Sequence, residues 1–234
     1  MTLGRPRIHF RYTDSTNARA RELARGGGRD GGGGGAPHGT LVTASEQSAG
    51  RGRQGRSWVA PPGRSLLCSV VVRNPPRLLP LAAGVAVTEI AGDGAQVKWP
   101  NDVLLDGRKV AGILVEGRPQ EGWAVAGIGL NVALRPDDFP AELRSTAATL
   151  GLEPDAIEPT LQAVLAGLER WLAAEAGAVV DAVRARDALL GRPVRWAGGQ
   201  GVGAGVDESG RLVVETDSGT MALDAGEVHL VPAS

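Results

Sequence analysis

The stretch VKWPNDVLLDGRKVAGILVEGRPQEGWAVAGIGLNV, residues Val97 to Val132, decides the fold class. Val97–Trp99, Val103–Leu105, Lys109–Glu116 and Trp123–Val132 are β-type runs joined by Asp-Gly and proline-containing turns. Successive strands with turns this short predict a meander-like sheet, not a regular alternation of strand and helix. Upstream, Ser65–Arg73 is a leucine- and valine-rich strand and Thr40–Ala44 a second one, with the polar segment Gln47–Arg64 as a long loop on that rigid sheet. Leu78–Ala91 is expected to be helical. Nearer the start, Ile8–Tyr12 reads as a short strand, and Asp14-Ser15-Thr16-Asn17 supplies cap-type residues before a helix over Ala18–Arg25. Gly26–Gly35 holds eight glycines in ten residues, which lose too much backbone entropy on ordering to be anything but a flexible loop.

Downstream, Leu161, Val164, Leu165, Leu168, Trp171 and Leu172 share one face of a helix over Pro159–Glu175, expected to end at Gly177, with a second helix over Val179–Leu190. The pattern then changes to short β runs such as Arg211–Thr216 and Glu227–Val231. Two units are therefore expected: a larger domain over residues 1–190 and a small all-β domain over residues 191–234.

The chain has 234 residues, 42% apolar and 22% charged, with 25 Lys and Arg against 26 Asp and Glu. Such a chain can bury a sizeable core, and its charge balance argues against general nucleic-acid binding. One cysteine permits no intrachain disulfide, and Cys68 with His9, His38 and His229 makes no zinc set by spacing. Cys68 reads as an inert core thiol. A reducing cytoplasm is the expected compartment, since Met1–Arg11 has no apolar signal region and no run of about 18 apolar residues occurs.

The strongest local oddity is Gly50-Arg51-Gly52-Arg53-Gln54-Gly55-Arg56. Glycine allows close backbone approach and arginine offers a planar fork of donors for carboxylates and phosphates, so an anionic ligand is implied. Three adjacent cations should repel, leaving the loop mobile until a ligand orders it. The segment matches the dinucleotide pattern G-x-G-x-x-G, but Pro61-Pro62-Gly63 follows rather than a helix, so a Rossmann site is not expected. Lys98-Trp99-Pro100-Asn101-Asp102 sets a cation, an amide and a carboxylate on one turn. Lys109 opens an apolar strand, where a buried amine needs an anionic partner. Gly127 and Gly129 interrupt a well-packed strand, which suggests close approach of a ligand.

In series, Ser15-Thr16-Asn17, Glu46–Trp58, Lys98–Asp102, Lys109–Glu116 and Gly127–Asn131 resemble the biotin protein ligases in order and spacing, and Gly226-Glu227-Val228-His229-Leu230 is similar to part of that family's small C-terminal domain. The resemblance implies an α+β fold: a central mixed or antiparallel sheet flanked by helices, class II synthetase-like, then a small C-terminal all-β SH3-like barrel. It also implies a two-step reaction, in which biotin and Mg-ATP give biotinyl-adenylate and pyrophosphate. The biotinyl group then passes to a lysine of a biotin carboxyl carrier domain of an acyl-CoA carboxylase.

By the same resemblance, Lys109 and Arg53 would be catalytic. Ser15, Thr16, Asn17, Gln47, Gly50, Arg51, Gly52, Arg53, Lys109, Gly112, Gly127 and Gly129 would bind biotin. Arg53, Arg56, Trp58, Lys98, Asn101, Asp102 and Asn131 would bind ATP or adenylate, with Asp102 on the Mg2+ side. Only 14 residues precede Ser15, so no DNA binding through an N-terminal winged helix is expected, and no membrane association either. The nearest rival is a lipoate or octanoate ligase. A rival of another class is a non-catalytic Gly-Arg RNA-binding module, disfavoured by the charge balance and by a single tyrosine with two phenylalanines for base stacking.

Overall fold

The computed structural model describes residues 3–26 and 35–231, so residues 27–34, most of the glycine-rich segment, lie outside the described residues. The chain begins with strand β1 (Arg7–Phe10), helix α1 (Thr16–Ala24), β2 (Leu41–Ala44) and β3 (Ser65–Arg73). Helix α2 (Leu79–Ala91) follows, then β4 (Ala95–Lys98), β5 (Asp102–Leu105), β6 (Arg108–Arg118) and β7 (Trp123–Asn131). These strands form one seven-stranded sheet in the order β1-β2-β3-β7-β6-β5-β4. β4 to β7 is the expected meander, each strand antiparallel to the next. Only β1 and β2 are parallel, and α1 lies between them in the chain because a parallel pair needs a crossover.

The helix α1 starts two residues earlier than its sequence suggests. Ser15 is extended at φ −157° and its hydroxyl caps the Ala18 N–H, so Thr16 and Asn17 fall inside the first turn rather than before it. Ala20 and Ala24 of this helix pack on Val42, Val71, Trp123 and Val125 on one face of the sheet. The opposite face is covered by α2 and by α3 (Ile157–Ala173), whose Leu161, Val164, Leu165 and Leu168 are all buried, as the helical stripe predicts. Each such side chain contributes about 1.5–3 kcal/mol when removed from water. Trp171 and Leu172 of the same stripe are only partly buried.

Two helix ends differ from expectation. α3 stops at Ala174, whose extended backbone (ψ 152°) is followed by extended Glu175, and Gly177 instead lies inside α4 (Ala176–Arg184). α4 does not run to Leu190. Arg186 and Ala188 exchange backbone hydrogen bonds with Val97 at 2.8 and 3.0 Å, so this segment covers the free edge of β4 rather than continuing the helix.

The C-terminal strands β8 (Pro193–Trp196), β9 (Gly199–Val206), β10 (Leu212–Thr216), β11 (Gly219–Leu223) and β12 (His229–Leu230) form a second, antiparallel sheet ordered β11-β10-β9-β8-β12. The all-β character is as expected, but no ladder joins β11 to β12 among the described residues, so closure into a barrel is not seen. Val194, Val206, Leu212, Val214 and Val228 of this sheet share a core with Leu81 and Val85 of α2 and Val179 and Val183 of α4. The Trp99 indole N–H also donates to the Gly210 carbonyl at 3.0 Å. The small sheet is thereby fixed against the turn that carries Lys98 and Asn101. No helix of the described residues is long and apolar enough to cross a membrane.

Candidate functional site

A cleft of about 900 Å3, open to solvent, lies between the glycine-bearing strands β6 and β7, the start of α1, the loop over residues 47–58 and the rim of the C-terminal sheet. It brings together residues from all five stretches singled out in the sequence. Ser15, Thr16, Asn17, Gln47, Arg51, Gly52, Arg53, Arg56, Trp58, Lys98, Asn101, Asp102, Lys109, Gly112, Gly127 and Gly129 all line it. Gly50 and Asn131 do not. Gly50 sits behind the wall, where its carbonyl accepts the Trp58 N–H at 2.9 Å and a Cβ would overlap the Trp58 carbonyl. Asn131 is buried at the end of β7, donating its side-chain amide to the Ala148 carbonyl at 2.9 Å and accepting from Ser65 at 3.4 Å.

One end of the cleft is a neutral hydrogen-bonding cluster. The Gln47 side-chain carbonyl accepts from the Thr16 backbone N–H at 2.7 Å and its hydroxyl at 3.1 Å, which satisfies a donor the first helical turn leaves unpaired. Asn17 donates to the Leu114 carbonyl at 3.1 Å and to Glu116 at 3.0 Å, and accepts from Ser69 at 2.6 Å. Its amide is therefore held in one orientation. The glycine at 127 follows from this packing, because a Cβ there would overlap Asn17 Oδ1. Ser69, whose hydroxyl oxygen also lies 2.8 Å from the Thr16 hydroxyl, is absent from the sequence-based set. Its signal was present: a lone hydroxyl in the apolar run Leu66–Val72, on a strand that is buried along nearly its whole length.

The other end is cationic. The three arginines of the glycine-rich loop each have their own partner. Arg51 pairs with Glu116 at 3.2 Å, Arg53 donates to the Asn101 side-chain carbonyl at 3.2 Å, and Arg56 pairs with Glu227 from the segment between β11 and β12. The loop itself is a closed hairpin, with Gly52 N–H to Arg56 carbonyl at 2.7 Å and Arg56 N–H to Arg53 carbonyl at 3.1 Å. Gln54 and Gly55, at φ 54° and 77°, make its turn. The anticipated repulsion survives between Arg53 and Arg56, since, beside burial, Arg56 lowers the Arg53 pKa, and the separate partners offset it.

Lys109 finds the anionic partner its position demands, Asp102 at 2.7 Å. Its Nζ also lies 5.7 Å from the centre of the Trp58 ring. Trp58 lies against the floor of the cleft, where a Cβ at Gly129 would come within 2.6 Å of its ring and one at Gly112 within 3.2 Å. Those two glycines admit the indole. Burial pushes the Lys98 amine below the ordinary lysine range, with Lys109 and Arg56 acting in the same direction and Asp102 opposing. Burial likewise lowers Arg53, again against Asp102. Cys68 also lines the cleft, but burial pushes its thiol up to about 12, which keeps it protonated and unreactive. The described residues contain no group of three or more His, Cys, Asp or Glu placed to hold a metal ion. Asp102 is engaged by Lys109, so the cleft does not form a cage for a resident cation.

A mixed sheet with a neutral polar pocket at a helix start and a cation cluster facing it defines a site for a ligand with a polar head and an anionic tail. The family model for the biotin/lipoate A/B protein ligase family matches residues 34–132. The biotin–(acetyl-CoA-carboxylase) ligase of Paracoccus denitrificans is 36% identical over 242 residues, covering 92% of this chain and 97% of that protein. The chain belongs to the biotin/lipoate A/B protein ligase family. It is also 38% identical over 160 residues to the bifunctional ligase/repressor BirA of Bacillus subtilis, 63% of this chain and 47% of that protein. The chain thus spans about half the length of that relative. Among solved structures, the biotin protein ligase of Aquifex aeolicus in complex with biotin and ATP superposes with a TM-score of 0.80 at 27% identity, covering 98% of this chain and all of that one.

Proposed function

We propose that this chain is a biotin protein ligase: it activates biotin with ATP to biotinyl-5'-AMP and transfers the biotinyl group to a lysine of a carrier domain. The observation that carries this reading is the single cleft with a neutral, pre-bonded end at Ser15, Thr16, Asn17 and Gln47 and a cationic end at Arg51, Arg53, Arg56, Lys98 and Lys109. Family membership and the Aquifex structure with biotin and ATP support it. In this reading residues 1–190 form the catalytic domain, and residues 191–234 form a β-rich partner that brings Gly226, Glu227 and Val228 to the rim.

The neutral end takes the ureido ring, whose donors and acceptors lose water on burial and each need a partner. Asn17 has both amide hydrogens already committed, so what it offers a ligand is acceptance at Oδ1. At the other end a carboxylate must meet a triphosphate, and like unit charges at 4 Å repel by about 4 kcal/mol at an effective dielectric of 20. Lys109 and Arg53 are the cations that offset this, increasingly so as charge develops in the transition state. A biotin carboxylate oxygen bonds to the α-phosphorus, and the bond to pyrophosphate breaks, its electron pair leaving with pyrophosphate. In the second step the carrier amine attacks the acyl carbon, the bond to AMP breaks, and the amine loses one proton.

Mg2+ would enter in this reading with ATP as part of the substrate; Asp102 and Glu227 are the carboxylates lining the cleft, and Asp102 would take the metal side once Lys109 turns to the ligand. Gly50 shapes the loop and Asn131 the end of β7, without reaching the ligand. The carrier is the biotin carboxyl carrier domain of an acyl-CoA carboxylase, and the compartment is the cytoplasm. The test is exchange of labelled pyrophosphate into ATP with Mg2+ present. Exchange driven by biotin is expected; exchange driven only by lipoate or octanoate would replace this reading with a lipoate-type ligase, and no exchange with any of the three would remove it.

A further inference from the structure

The reading above leaves Glu116 unused. It follows Val115 on β6, it is not among the residues lining the cleft, and its side chain is 18% exposed. Yet this one carboxylate receives three donors. Oε1 lies 3.0 Å from Arg21 of α1 and 3.2 Å from Arg51 of the glycine-rich hairpin, and Oε2 accepts from the Asn17 amide at 3.0 Å. The three donors come from different segments: Asn17 from the neutral end of the cleft, Arg51 from the glycine-rich loop that lines it, and Arg21 from the next turn of α1, outside the cleft.

We propose that Glu116 is the positioning residue that couples the two ends of the site: it fixes the Asn17 amide so that Oδ1 faces the ligand, and it tethers the arginine hairpin to β6 by the same carboxylate. The proposal rests on the biotin ligase reading for its ligand, but its geometry does not. An amide has two nearly equivalent orientations unless its neighbours distinguish nitrogen from oxygen. Here Ser69 marks the oxygen side, and the Leu114 carbonyl and Glu116 share the nitrogen side. A carboxylate can only accept, so Nδ2 must point at it; a carboxamide in its place presents either group and leaves the Leu114 carbonyl alone to hold Nδ2. The charge is needed for a second reason. Arg21 Nη1 and Arg51 Nη2 converge on one oxygen, and two guanidinium groups held that near each other without an anion between them repel. Glu116→Gln therefore frees the hairpin and weakens the hold on the amide together, while keeping the side chain's shape.

The experiment compares wild type, Glu116→Gln, Arg51→Gln and the double variant in two assays. In pyrophosphate exchange, Glu116→Gln should raise the KM for biotin roughly ten- to a hundredfold, the range for losing one charge-assisted contact. The KM for ATP should rise as well, because the freed hairpin carries Arg53 and Arg56. The double variant should be no worse than the more damaged single one, because both substitutions cut the same link. In limited digestion of the ligand-free proteins by trypsin, Glu116→Gln should be cut faster within residues 51–56 than wild type, at an unchanged melting temperature. A loss confined to one substrate, or additive losses in the double variant, would overturn the coupling. Unchanged cleavage of the hairpin would overturn the tether. Should wild type itself fail to use biotin, the functional reading fails instead, and the digestion still decides the role of Glu116.

Discussion

At the helix end of the cleft, Ser15, Thr16 and Asn17 are 3%, 5% and 4% exposed, and the polar atoms of Thr16 and Asn17 are tied to Gln47, Ser69, Leu114 and Glu116 by hydrogen bonds. At the loop end, the side chains of Arg51 and Arg56 are 46% and 55% exposed, and each leans on a single carboxylate. The first end has already met the cost of desolvation on folding and presents a fixed pattern of donors and acceptors. The second keeps its charges in contact with water, where they can be redirected to an incoming anion at little cost. Recognition of a neutral head group and management of charge are thus assigned to different materials: a helix start packed on a sheet, and a hairpin of glycine and arginine.

The largest effect should come from the loop end. Lys109→Ala is expected to lower adenylate formation at least a hundredfold, by analogy with loss of a preorganised group facing developing charge, measured by pyrophosphate exchange at saturating biotin. Activity retained within tenfold would mean that the loop arginines alone manage the charge. At the helix end, Asn17→Ala should instead act on affinity, raising the KM for biotin roughly tenfold to a hundredfold with little change in kcat. A fall in kcat with unchanged KM would show that the two ends do not divide the work as proposed.

Arg53→Gly sharpens the comparison, because Arg53 is the loop arginine held only by an amide, Asn101. Loss of its contact to the adenylate should speed release of the intermediate by roughly ten- to a hundredfold. Released biotinyl-adenylate would acylate bystander lysines, so incubation with biotin, ATP and albumin followed by blotting for biotin should show more label than with wild type. If the variant forms adenylate and labels albumin no more than wild type, the clamp is Arg51 or Arg56.

A smaller effect is expected on the hairpin of wild type. Biotin with ATP should slow tryptic cleavage at residues 51–56 several-fold, since ligand replaces solvent around the arginines. Equal cleavage with and without ligand would mean that the backbone hydrogen bonds of the empty hairpin already hold it closed.

The smallest effect concerns Lys98. Burial holds its pKa below the ordinary lysine value, so between the two values the unfolded chain binds more protons than the folded one, and stability rises with pH across that window. In Lys98→Met this rise should be missing from the melting temperatures measured against pH. A slope unchanged by the substitution would place the titration elsewhere.

The strand Ser65–Arg73 was legible to the residue, because an unbroken apolar run admits one reading when a sheet buries both its faces. The meander from β4 to β7 was legible for its turns, and α3 for its stripe. The end of α4 was not: Arg184 is followed by residues that pair with the edge of β4, and a helix stop imposed by a distant strand leaves no mark in the local pattern. The glycines were legible as close approaches but not as to what approaches. Gly127 makes room for Asn17, and Gly112 and Gly129 for Trp58, all side chains of the protein itself. Asn131 follows the glycine pair in the same motif, yet its amide serves Ala148, since the last residue of a strand can turn either way.

What the sequence determined by itself was therefore the inventory: which residue types carry charge, which can reverse the backbone, and which runs must be buried. These follow from local chemistry, and the series from Ser15 to Asn131 retains its order however the chain is folded. Only the tertiary structure decided the pairings. It gave Arg51, Arg53 and Arg56 three different partners, Glu116, Asn101 and Glu227, drawn from strand β6, the turn between β4 and β5, and the segment between β11 and β12. It also joined Lys109 to Asp102 across a β-bulge in the β5–β6 ladder. Partner choice depends on distances between segments far apart in the chain, and electrostatic and hydrogen-bond energies fall off within a few ångströms. Composition and spacing name the charges, but only the packed sheet brings them within reach of one another.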